Sequence, residues 1–133
     1  MICTNSDGGA RGNPGPGAIG VIVRKNGEIL TKYSAKVGGN VTNNVAEYHG
    51  LVNALELASK YTKKEVTCYL DSELVVKQLL GEYMVKHPIL LKLFLRVQKL
   101  QERFEKVRYI HVSRDNKFQK IADQLLNDEL DRI

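Results

Sequence analysis

The sequence lacks several features that would place it in particular classes of protein. It has no tryptophan, two cysteines and three prolines among 133 residues. Two cysteines are too few for a disulfide framework or a four-cysteine zinc site. No apolar run approaches the roughly 20 residues of a membrane-spanning helix, and the first residues have neither the charged lead nor the apolar core of a signal peptide. We therefore expect a cytoplasmic protein that does not contact membranes.

The composition that remains is typical of one globular domain. Hydrophobic residues make up 43% of the chain and charged residues 26%, a mixture that argues against intrinsic disorder. A chain of this length buries one core but not two, and no repeat, low-complexity tract or linker interrupts it. We expect a single domain over residues 1–133 and a monomeric protein.

Hydrophobic patterns and turn signals predict the element order β-β-β-α-β-α-α-β-α. Strands are expected at about 2–6, 18–23, 28–37, 65–70 and 107–112, and helices at about 42–61, 72–80 and 117–130, with a basic helix after Pro88. Asn26-Gly27 is a strong hairpin signal between the second and third strands. A hairpin followed by strands separated by helices indicates a mixed sheet covered by helices.

The net charge of +5 is concentrated in one segment. Residues 84–108 hold seven basic side chains against two acidic ones, and the rest of the chain is balanced. Five of the basic residues recur at intervals of four and three, so one continuous helix would align them: Lys92, Arg96, Lys99, Arg103 and Lys106. This basic stripe is either the solvated face of an amphipathic helix or a binding surface for a nucleic-acid backbone, and the helix alone does not decide between them.

A glycine-rich segment, Gly8 to Gly17, follows the first predicted strand. A phosphate-binding loop needs Gly-Lys-Ser/Thr, and a dinucleotide fingerprint needs a helix directly after it. Here a strand follows, so the segment does not indicate ATP or NAD binding. We expect a tight turn whose exposed backbone amides can approach a ligand.

Four carboxylates occupy positions suited to chemistry. Asp7 and Asp71 end two predicted strands, and ligands of α/β sheets collect at the carboxyl ends of strands. Glu47 lies at the edge of the buried face of the first long helix, and Asp123 lies inside the last helix. Each acid also has an ordinary explanation as a turn former, a helix-terminal acid or a solvated residue, so the argument rests on the four together.

Carboxylates gathered in one place repel one another unless a cation joins them. The chain has no histidine and cysteine cluster of the zinc type, and oxygen ligands favour a hard ion such as Mg²⁺ or Mn²⁺. A pair of such ions about 3.5–4 Å apart is the known arrangement for phosphodiester hydrolysis. The acids beside a basic surface therefore predict a metal-dependent nuclease.

Four short motifs in order make nearly the whole chain resemble ribonuclease HI. They are Ser6-Asp7-Gly8-Gly9 with Gly12-Asn13-Pro14-Gly15, Thr42-Asn43-Asn44-Val45-Ala46-Glu47, Leu70-Asp71-Ser72 and Ala122-Asp123-Gln124-Leu125. The resemblance implies an α/β, ribonuclease H-like fold, with a five-stranded mixed sheet whose second strand is antiparallel and which is flanked by helices. It also implies endonucleolytic cleavage of the RNA strand of RNA–DNA hybrids, leaving 3′-hydroxyl and 5′-phosphate ends.

The resemblance assigns roles to residues of this sequence. Asp7, Glu47, Asp71 and Asp123 become the catalytic metal ligands for two ions, with Asp7 bridging both and Asp123 acting as a mobile fourth ligand. Mg²⁺ is the expected cofactor, with Mn²⁺ as the alternative. RNA–DNA hybrid is the expected partner, and double-stranded RNA is a second candidate.

Substrate contacts are expected from the same motifs and from the basic stripe. The small donors and acceptors of the Asn side chains suit the 2′-hydroxyls of an RNA strand, and Thr42 matches a contact to a DNA-strand phosphate. The expected contacts are Gly8, Gly9, Asn13, Thr42, Asn43, Asn44, Lys99 and Arg103. His111 and Arg114 are candidates for assisting product release. A short link at Gly81–Pro88 replaces the basic protrusion of some members, and Glu73 stands where many have Gln.

Two other functions stay open at this point. A hybrid- or double-strand-binding module without chemistry would bind without forming product, and a junction-resolving or strand-transferring nuclease would act on DNA.

The two cysteines are not expected to pair. Cys3 and Cys68 lie on adjacent predicted strands, where strand parity points them to opposite faces. We expect two buried free thiols and no disulfide.

Overall fold

The computed structural model describes residues 1–132 and confirms the predicted order of elements. The strands are β1 (Ile2–Ala10), β2 (Gly15–Lys25), β3 (Glu28–Val41), β4 (Glu65–Leu70) and β5 (Lys106–His111). The helices are α1 (Asn43–Ala58), α2 (Glu73–Leu79), α3 (Pro88–Gln101) and α4 (Lys117–Asp131). No helix among residues 1–132 is long and apolar enough to span a lipid bilayer.

The five strands form one mixed sheet in the order β3-β2-β1-β4-β5. β2 runs antiparallel to both neighbours, whereas β1, β4 and β5 are parallel to one another. The expected ribonuclease H-like arrangement, with an antiparallel second strand, is therefore confirmed. The carboxyl ends of the central strands β1 and β4 meet at one edge of the sheet, where ligand chemistry collects in such folds.

Polar side chains fix where the helices begin. Thr42 accepts a hydrogen bond from the amide of Val45 at 3.2 Å and caps α1, and Ser72 caps α2 in the same way. Asn116 caps α4 by accepting from the amides of Phe118 and Gln119. Such caps typically stabilise a helix by about 1 kcal/mol, and here each one starts a helix beside the same sheet edge.

The main core lies between the sheet and helices α1 and α3. Tyr48, Leu51 and Leu55 of α1 are fully buried there, and Val97 and Leu100 of α3 pack into the same cluster. Full burial of each aliphatic side chain contributes about 1.5–3 kcal/mol. This packing holds α1 rigidly on the sheet.

Both cysteines are buried and free, as expected. The β1–β4 register pairs Cys3 with Thr67 and Thr4 with Cys68. Because adjacent positions of a strand point to opposite faces, the two thiols lie on opposite sides of the sheet. Burial raises the pKa of Cys68 to about 12, so this thiol is not a reactive nucleophile.

The glycine-rich segment is more ordered than predicted. β1 continues through Gly8 and Gly9 to Ala10, which pairs with Gly17, so the turn covers only residues 11–14. Asp7 consequently lies within β1 and does not end it. The prediction failed because it treated the glycines as breakers, whereas their backbones pair normally with β2.

The basic stripe is not continuous. α3 ends at Gln101, so Arg103 lies in the following turn and Lys106 is the first residue of β5. The four-and-three spacing predicted one helix through these positions. Pairing of Lys106 with Glu65 of β4 overrides that local periodicity, because a sheet partner satisfies the backbone groups that a longer helix would use. Lys92, Arg96 and Lys99 remain on one helix.

Candidate active site

Three acidic side chains from distant parts of the sequence meet at one edge of the sheet. Oxygen atoms of Asp7, Glu47 and Asp71 all lie within 4.8 Å of one another. Asp7 lies in β1 just beyond the last pair that this strand forms with β4, Asn5 with Tyr69, and Asp71 follows β4 directly. Parallel pairing therefore places the two aspartates side by side, and α1 brings Glu47 against them.

Two glycines allow α1 to approach β1 this closely. A Cβ atom on Gly8 would lie 2.1 Å from the carbonyl oxygen of Ala46, and one on Gly50 would lie 3.0 Å from the carbonyl oxygen of Asp7. Only residues without a Cβ fit at such a close backbone approach. The glycines thus place Glu47, the residue after Ala46, next to Asp7.

The amide of Gly8 orients two of the three carboxylates. It donates to Oδ1 of Asp7 at 2.9 Å and to Oε1 of Glu47 at 3.0 Å. The other oxygen of Glu47, Oε2, is buried and finds no hydrogen-bond partner within residues 1–132. A buried carboxylate oxygen without a donor is costly, and a divalent cation would satisfy it.

The electrostatics of this group favour bound protons or a cation at neutral pH. Burial, followed by the neighbouring charges of Glu47 and Asp71, raises the pKa of Asp7 far above its ordinary value. Burial also raises the pKa of Glu47 to about 7. The pKa of Asp71 is raised by its own burial, although the nearby Arg114 opposes the shift. A hard divalent ion among these oxygens would neutralise the repulsion, so the residues fit a metal centre.

Asp123 lies apart from this group of three but faces the same space. It is an exposed residue of α4 and approaches Asp7 closely enough to contribute to the raised pKa of that carboxyl. A Cβ on Gly20 of β2 would lie 2.0 Å from the carbonyl oxygen of Ala122, so α4 packs directly on the sheet at the position before Asp123. A glycine again sets the place of an acid.

A cavity of about 690 Å³ opens over the carboxylates. Most of the predicted site residues line it: Asp7, Gly8, Gly9, Asn43, Asn44, Glu47, Asp71, His111, Arg114 and Asp123. Four of the predicted residues do not line it: Asn13, Thr42, Lys99 and Arg103. The structure therefore separates one compact group from outlying positions.

Two of the outlying residues support the rim of the cavity. The side-chain oxygen of Asn13 accepts from the amide of Asn43 at 3.0 Å, and that of Asn43 accepts from the amide of Ala10 at 2.9 Å. These bonds join the β1–β2 turn to the start of α1, where Thr42 is the cap. With both amide oxygens engaged, the NH₂ donors of the two asparagines are the groups left to meet a ligand.

The other two outlying residues belong to the basic surface. Lys99 is exposed on α3, where its Nζ atom lies 4.0 Å from Glu102. Arg103 donates from Nη1 to Ser59 at the end of α1 over 3.5 Å. α3 packs against α1 rather than over the carboxylates, so these cations reach the cavity only through a ligand long enough to cross α1.

Sequence reasoning missed Arg11, which also lines the cavity. Its guanidinium lies 2.5 Å from Asp131 and 3.5 Å from the carbonyl oxygen of Asn127, both near the end of α4. The only signal in the sequence was a single cation in the glycine-rich segment. Such a residue is indistinguishable from an ordinary turn residue until α4 is placed beside it.

The fold recurs in known proteins. Residues 5–128 match the family model described as "Reverse transcriptase-like". The N-terminal RNase H domain of Rv2228c from Mycobacterium tuberculosis is 40% identical, with a TM-score of 0.91 over 98% of this chain and 93% of that one. LC11-RNase H1, solved in complex with an RNA/DNA hybrid, is 38% identical, with a TM-score of 0.90 over 98% and 97% of the two chains. This chain belongs to the ribonuclease HI family.

Curated relatives agree with this membership, but the chain covers only part of each of them. Ribonuclease HI of Halobacterium salinarum is 38% identical over 126 residues, which are 94% of this chain and 62% of that protein. The bifunctional protein Rv2228c of M. tuberculosis is 41% identical over 132 residues, 98% of this chain but 35% of the relative. The chain thus spans about a third of the length of the mycobacterial proteins.

Proposed function

We propose that this protein is a metal-dependent ribonuclease H that hydrolyses the RNA strand of RNA–DNA hybrids and leaves 3′-hydroxyl and 5′-phosphate ends. The observation that carries the proposal is the group of Asp7, Glu47 and Asp71, whose oxygens lie within 4.8 Å of one another around an unpartnered buried oxygen of Glu47. Membership of the ribonuclease HI family supports it, as does the relative solved with a hybrid.

Asp7, Glu47 and Asp71 would hold two Mg²⁺ ions, or Mn²⁺ in their place, with Asp7 shared between them. Asp123, exposed on α4 beside the same cavity, would be the fourth ligand. When bound by these residues, the ions would supply activation of the attacking water and stabilisation of the leaving oxygen. The amide of Gly8 contributes by fixing the directions of Asp7 and Glu47 before substrate arrives.

The rim of the cavity would distinguish RNA from DNA. Asn13, Asn43 and Asn44 offer amide donors to the 2′-hydroxyls of the minor groove, and Gly8 and Gly9 let a strand approach the backbone closely. Thr42, at the positive start of α1, would contact a phosphate of the DNA strand. Double-stranded RNA shares the 2′-hydroxyls and is the second candidate substrate.

His111 and Arg114 would act at the product side of the cavity. His111 is the last residue of β5 and Arg114 lies in the loop after it, and both line the cavity. Arg114 is close enough to Asp71 to counter the rise in that carboxyl's pKa. A cation and an imidazole beside the leaving phosphate would help the hydrolysed strand to depart. Lys99 and Arg103 would hold the backbone of the hybrid further away, across α1.

We infer a single catalytic domain over residues 1–133, of which Ile133 lies outside the described residues, acting as a monomer in the cytoplasm. The free, buried Cys3 and Cys68 support a reducing compartment. Sedimentation at working concentrations checks the monomer, and fractionation of the source cells checks the compartment.

Cleavage of labelled RNA–DNA hybrid, double-stranded RNA and double-stranded DNA in parallel tests the proposal. We expect Mg²⁺-dependent cutting of the RNA strand of the hybrid, abolished by chelation. Binding without product would favour the non-catalytic module, and cutting of DNA alone would favour the DNA nuclease.

The substitution Asp7→Asn tests the catalytic assignment. It removes the charge shared between the two proposed ions, so hybrid cleavage should be abolished while hybrid binding persists. Asp115→Asn, which changes an exposed acid in the loop before α4, is the matched control and should cleave normally. Full activity of the Asp7→Asn protein would defeat the assignment.

A further inference from the structure

Gln119 is a fully buried polar residue that lies one helical turn before Asp123 on α4. Its side-chain amide bonds with β1 at both ends. Oε1 accepts from Nδ2 of Asn5 at 3.1 Å, and Nε2 donates to the carbonyl oxygen of Ser6 at 2.8 Å. No other side chain of α4 forms a hydrogen bond to β1 among the described residues.

The carbonyl of Ser6 belongs to the peptide bond that leads into Asp7. One side chain therefore links the backbone directly before Asp7 to the helix that carries Asp123. Residues four apart on a helix lie on the same side, so Gln119 and Asp123 share a side of α4. Gly20 sets how closely α4 approaches the sheet, and Arg11 and Ser34 hold the end of α4 beyond Asp123 through Asp131 and Glu129. The directional hydrogen bonds of Gln119 fix the part of the helix that precedes Asp123.

Further bonds hold the partner of Gln119 in place. Oδ1 of Asn5 accepts from Nε of Arg24 at 3.0 Å, and the Arg24 guanidinium lies 4.1 Å from the centre of the Phe118 ring, the residue before Gln119. A continuous series of hydrogen bonds thus runs from Arg24 through Asn5 and Gln119 to the carbonyl of Ser6. Complete buried networks of this kind give one defined arrangement.

We propose that Gln119 is a positioning residue that sets the separation of the Asp123 and Asp7 carboxylates and thereby the affinity of this site for divalent cations. It touches neither substrate nor metal. It acts through α4, by holding Asp123 opposite the three gathered acids. The inference rests on the proposed function for its effect on cleavage, but its effect on cation binding stands independently.

The test replaces Gln119 with Met, which has a similar volume and neither hydrogen-bonding group. Binding of Mn²⁺ to the protein without nucleic acid is measured by electron paramagnetic resonance, beside the Mn²⁺ dependence of hybrid cleavage. We expect about tenfold weaker Mn²⁺ binding, a typical effect of losing a group that orients metal ligands. The Mn²⁺ needed for half-maximal cleavage should rise by the same factor, with an unchanged KM for the hybrid.

Gln78→Met is the matched control, because Gln78 is also a buried helical glutamine whose amide oxygen accepts from Tyr48 at 2.6 Å. It should lose comparable stability and keep normal Mn²⁺ binding. Equal Mn²⁺ binding by the Gln119→Met protein and wild type would overturn the inference, as would an equal loss in both variants. If wild type cuts no nucleic acid but the Gln119→Met protein still binds Mn²⁺ more weakly, the proposed function fails and this inference survives.

Asn5→Ala keeps the inference testable if the Gln119→Met protein does not fold. It removes the donor to Oε1 of Gln119 and leaves the bond to Ser6 in place. We expect weaker Mn²⁺ binding than in wild type, by a smaller factor than a full loss of the network gives. Unchanged Mn²⁺ binding in this variant would then overturn the inference.

Discussion

At the scale of single residues, the site is a balance between repulsion and metal binding. Glu47 is buried with one oxygen held by the amide of Gly8 and the other without a donor. The cost of that arrangement without metal is visible in the raised pKa values of Asp7, Glu47 and Asp71. Active sites commonly lose stability for the sake of function in this way. Here the loss can be measured as the dependence of the free energy of unfolding on pH.

The metal-free protein should lose stability as pH rises through the titration of Glu47. An unfolded Glu ionises near 4.5, whereas burial raises the pKa of Glu47 in the folded state to about 7. Between these values the folded state binds more protons than the unfolded state, so the free energy of unfolding falls as pH increases. Asp7, with its pKa also raised, acts in the same direction.

Thermal unfolding across this pH range, with and without Mg²⁺, measures the effect. We expect the midpoint without metal to fall as pH increases, Mg²⁺ to restore most of the loss, and Glu47→Gln to flatten the dependence. A midpoint that stays level without metal, or a Glu47→Gln protein with the wild-type dependence, would show that the carboxylates do not repel as described.

At the scale of elements, glycines set the distances between helices and sheet. Gly8 and Gly50 let α1 settle on β1, and Gly20 lets α4 settle on β2. Each of these contacts lies beside an acid of the site, so the close packing of the helix on the sheet also determines where the acid lies. The sequence marked Gly8 as part of a turn and as a substrate contact but not as a packing position, because a close approach between strand and helix leaves no local pattern.

Gly20→Ala should therefore weaken both fold and activity. The added Cβ would lie 2.0 Å from the carbonyl oxygen of Ala122, and α4 must shift to relieve the overlap. We expect a loss of about 1–3 kcal/mol in the free energy of unfolding and slower hybrid cleavage as Asp123 moves. Denaturant unfolding and cleavage rates measure these effects.

Gly27→Ala provides the control for that substitution. Its added Cβ has no heavy atom within 4 Å, so stability and cleavage should stay close to wild type. If Gly20→Ala behaves like this control, the close packing of α4 on β2 is not what places Asp123.

At the scale of the whole molecule, charge is divided between an acidic cavity and a basic segment. Residues 84–108 carry the entire net charge, and α3 presents Lys92, Arg96 and Lys99 on the surface next to α1. Arg96 pairs with Glu56 of α1 at 2.7 Å, which leaves Lys92, and Lys99 at 4.0 Å from Glu102, as the more available cations of this helix. A polyanion that spans both regions would meet metal at one end and lysine at the other.

Neutralising Lys99 and Arg103 together should weaken hybrid binding and reduce its salt dependence. Each lost phosphate contact lowers the slope of log K against log salt by about 1, and turnover at saturating substrate should change little. Binding is measured at several salt concentrations with the Asp7→Asn protein, which does not consume the hybrid. Lys32→Gln, on the edge strand β3, is the control. An unchanged slope would show that the basic surface is a solvated helix face and does not bind the hybrid.

The sequence predicted most of this molecule, for identifiable physical reasons. Strand and helix order followed from hydrophobic periodicity, and Asp7, Glu47 and Asp71 were found because predicted strand ends and the buried side of a helix are local patterns, although β1 continues past Asp7 to Ala10. The end of α3 before Arg103 was not predictable, because sheet pairing by Lys106 decides it. Arg11 escaped notice, and Gln119 was noted only as a departure from the Asn of other family members, because both roles depend on how α4 lies beside β1, which no local pattern encodes.

Anomalous diffraction from crystals of the protein with an RNA–DNA hybrid and Mn²⁺ tests the central claim most directly. The account predicts two manganese peaks, both ligated by Asp7, with Oε2 of Glu47 bound to one of them and Asp71 bound to at least one. Manganese peaks elsewhere on the protein, or a Glu47 carboxylate still without a cation while hybrid fills the cavity, would contradict it.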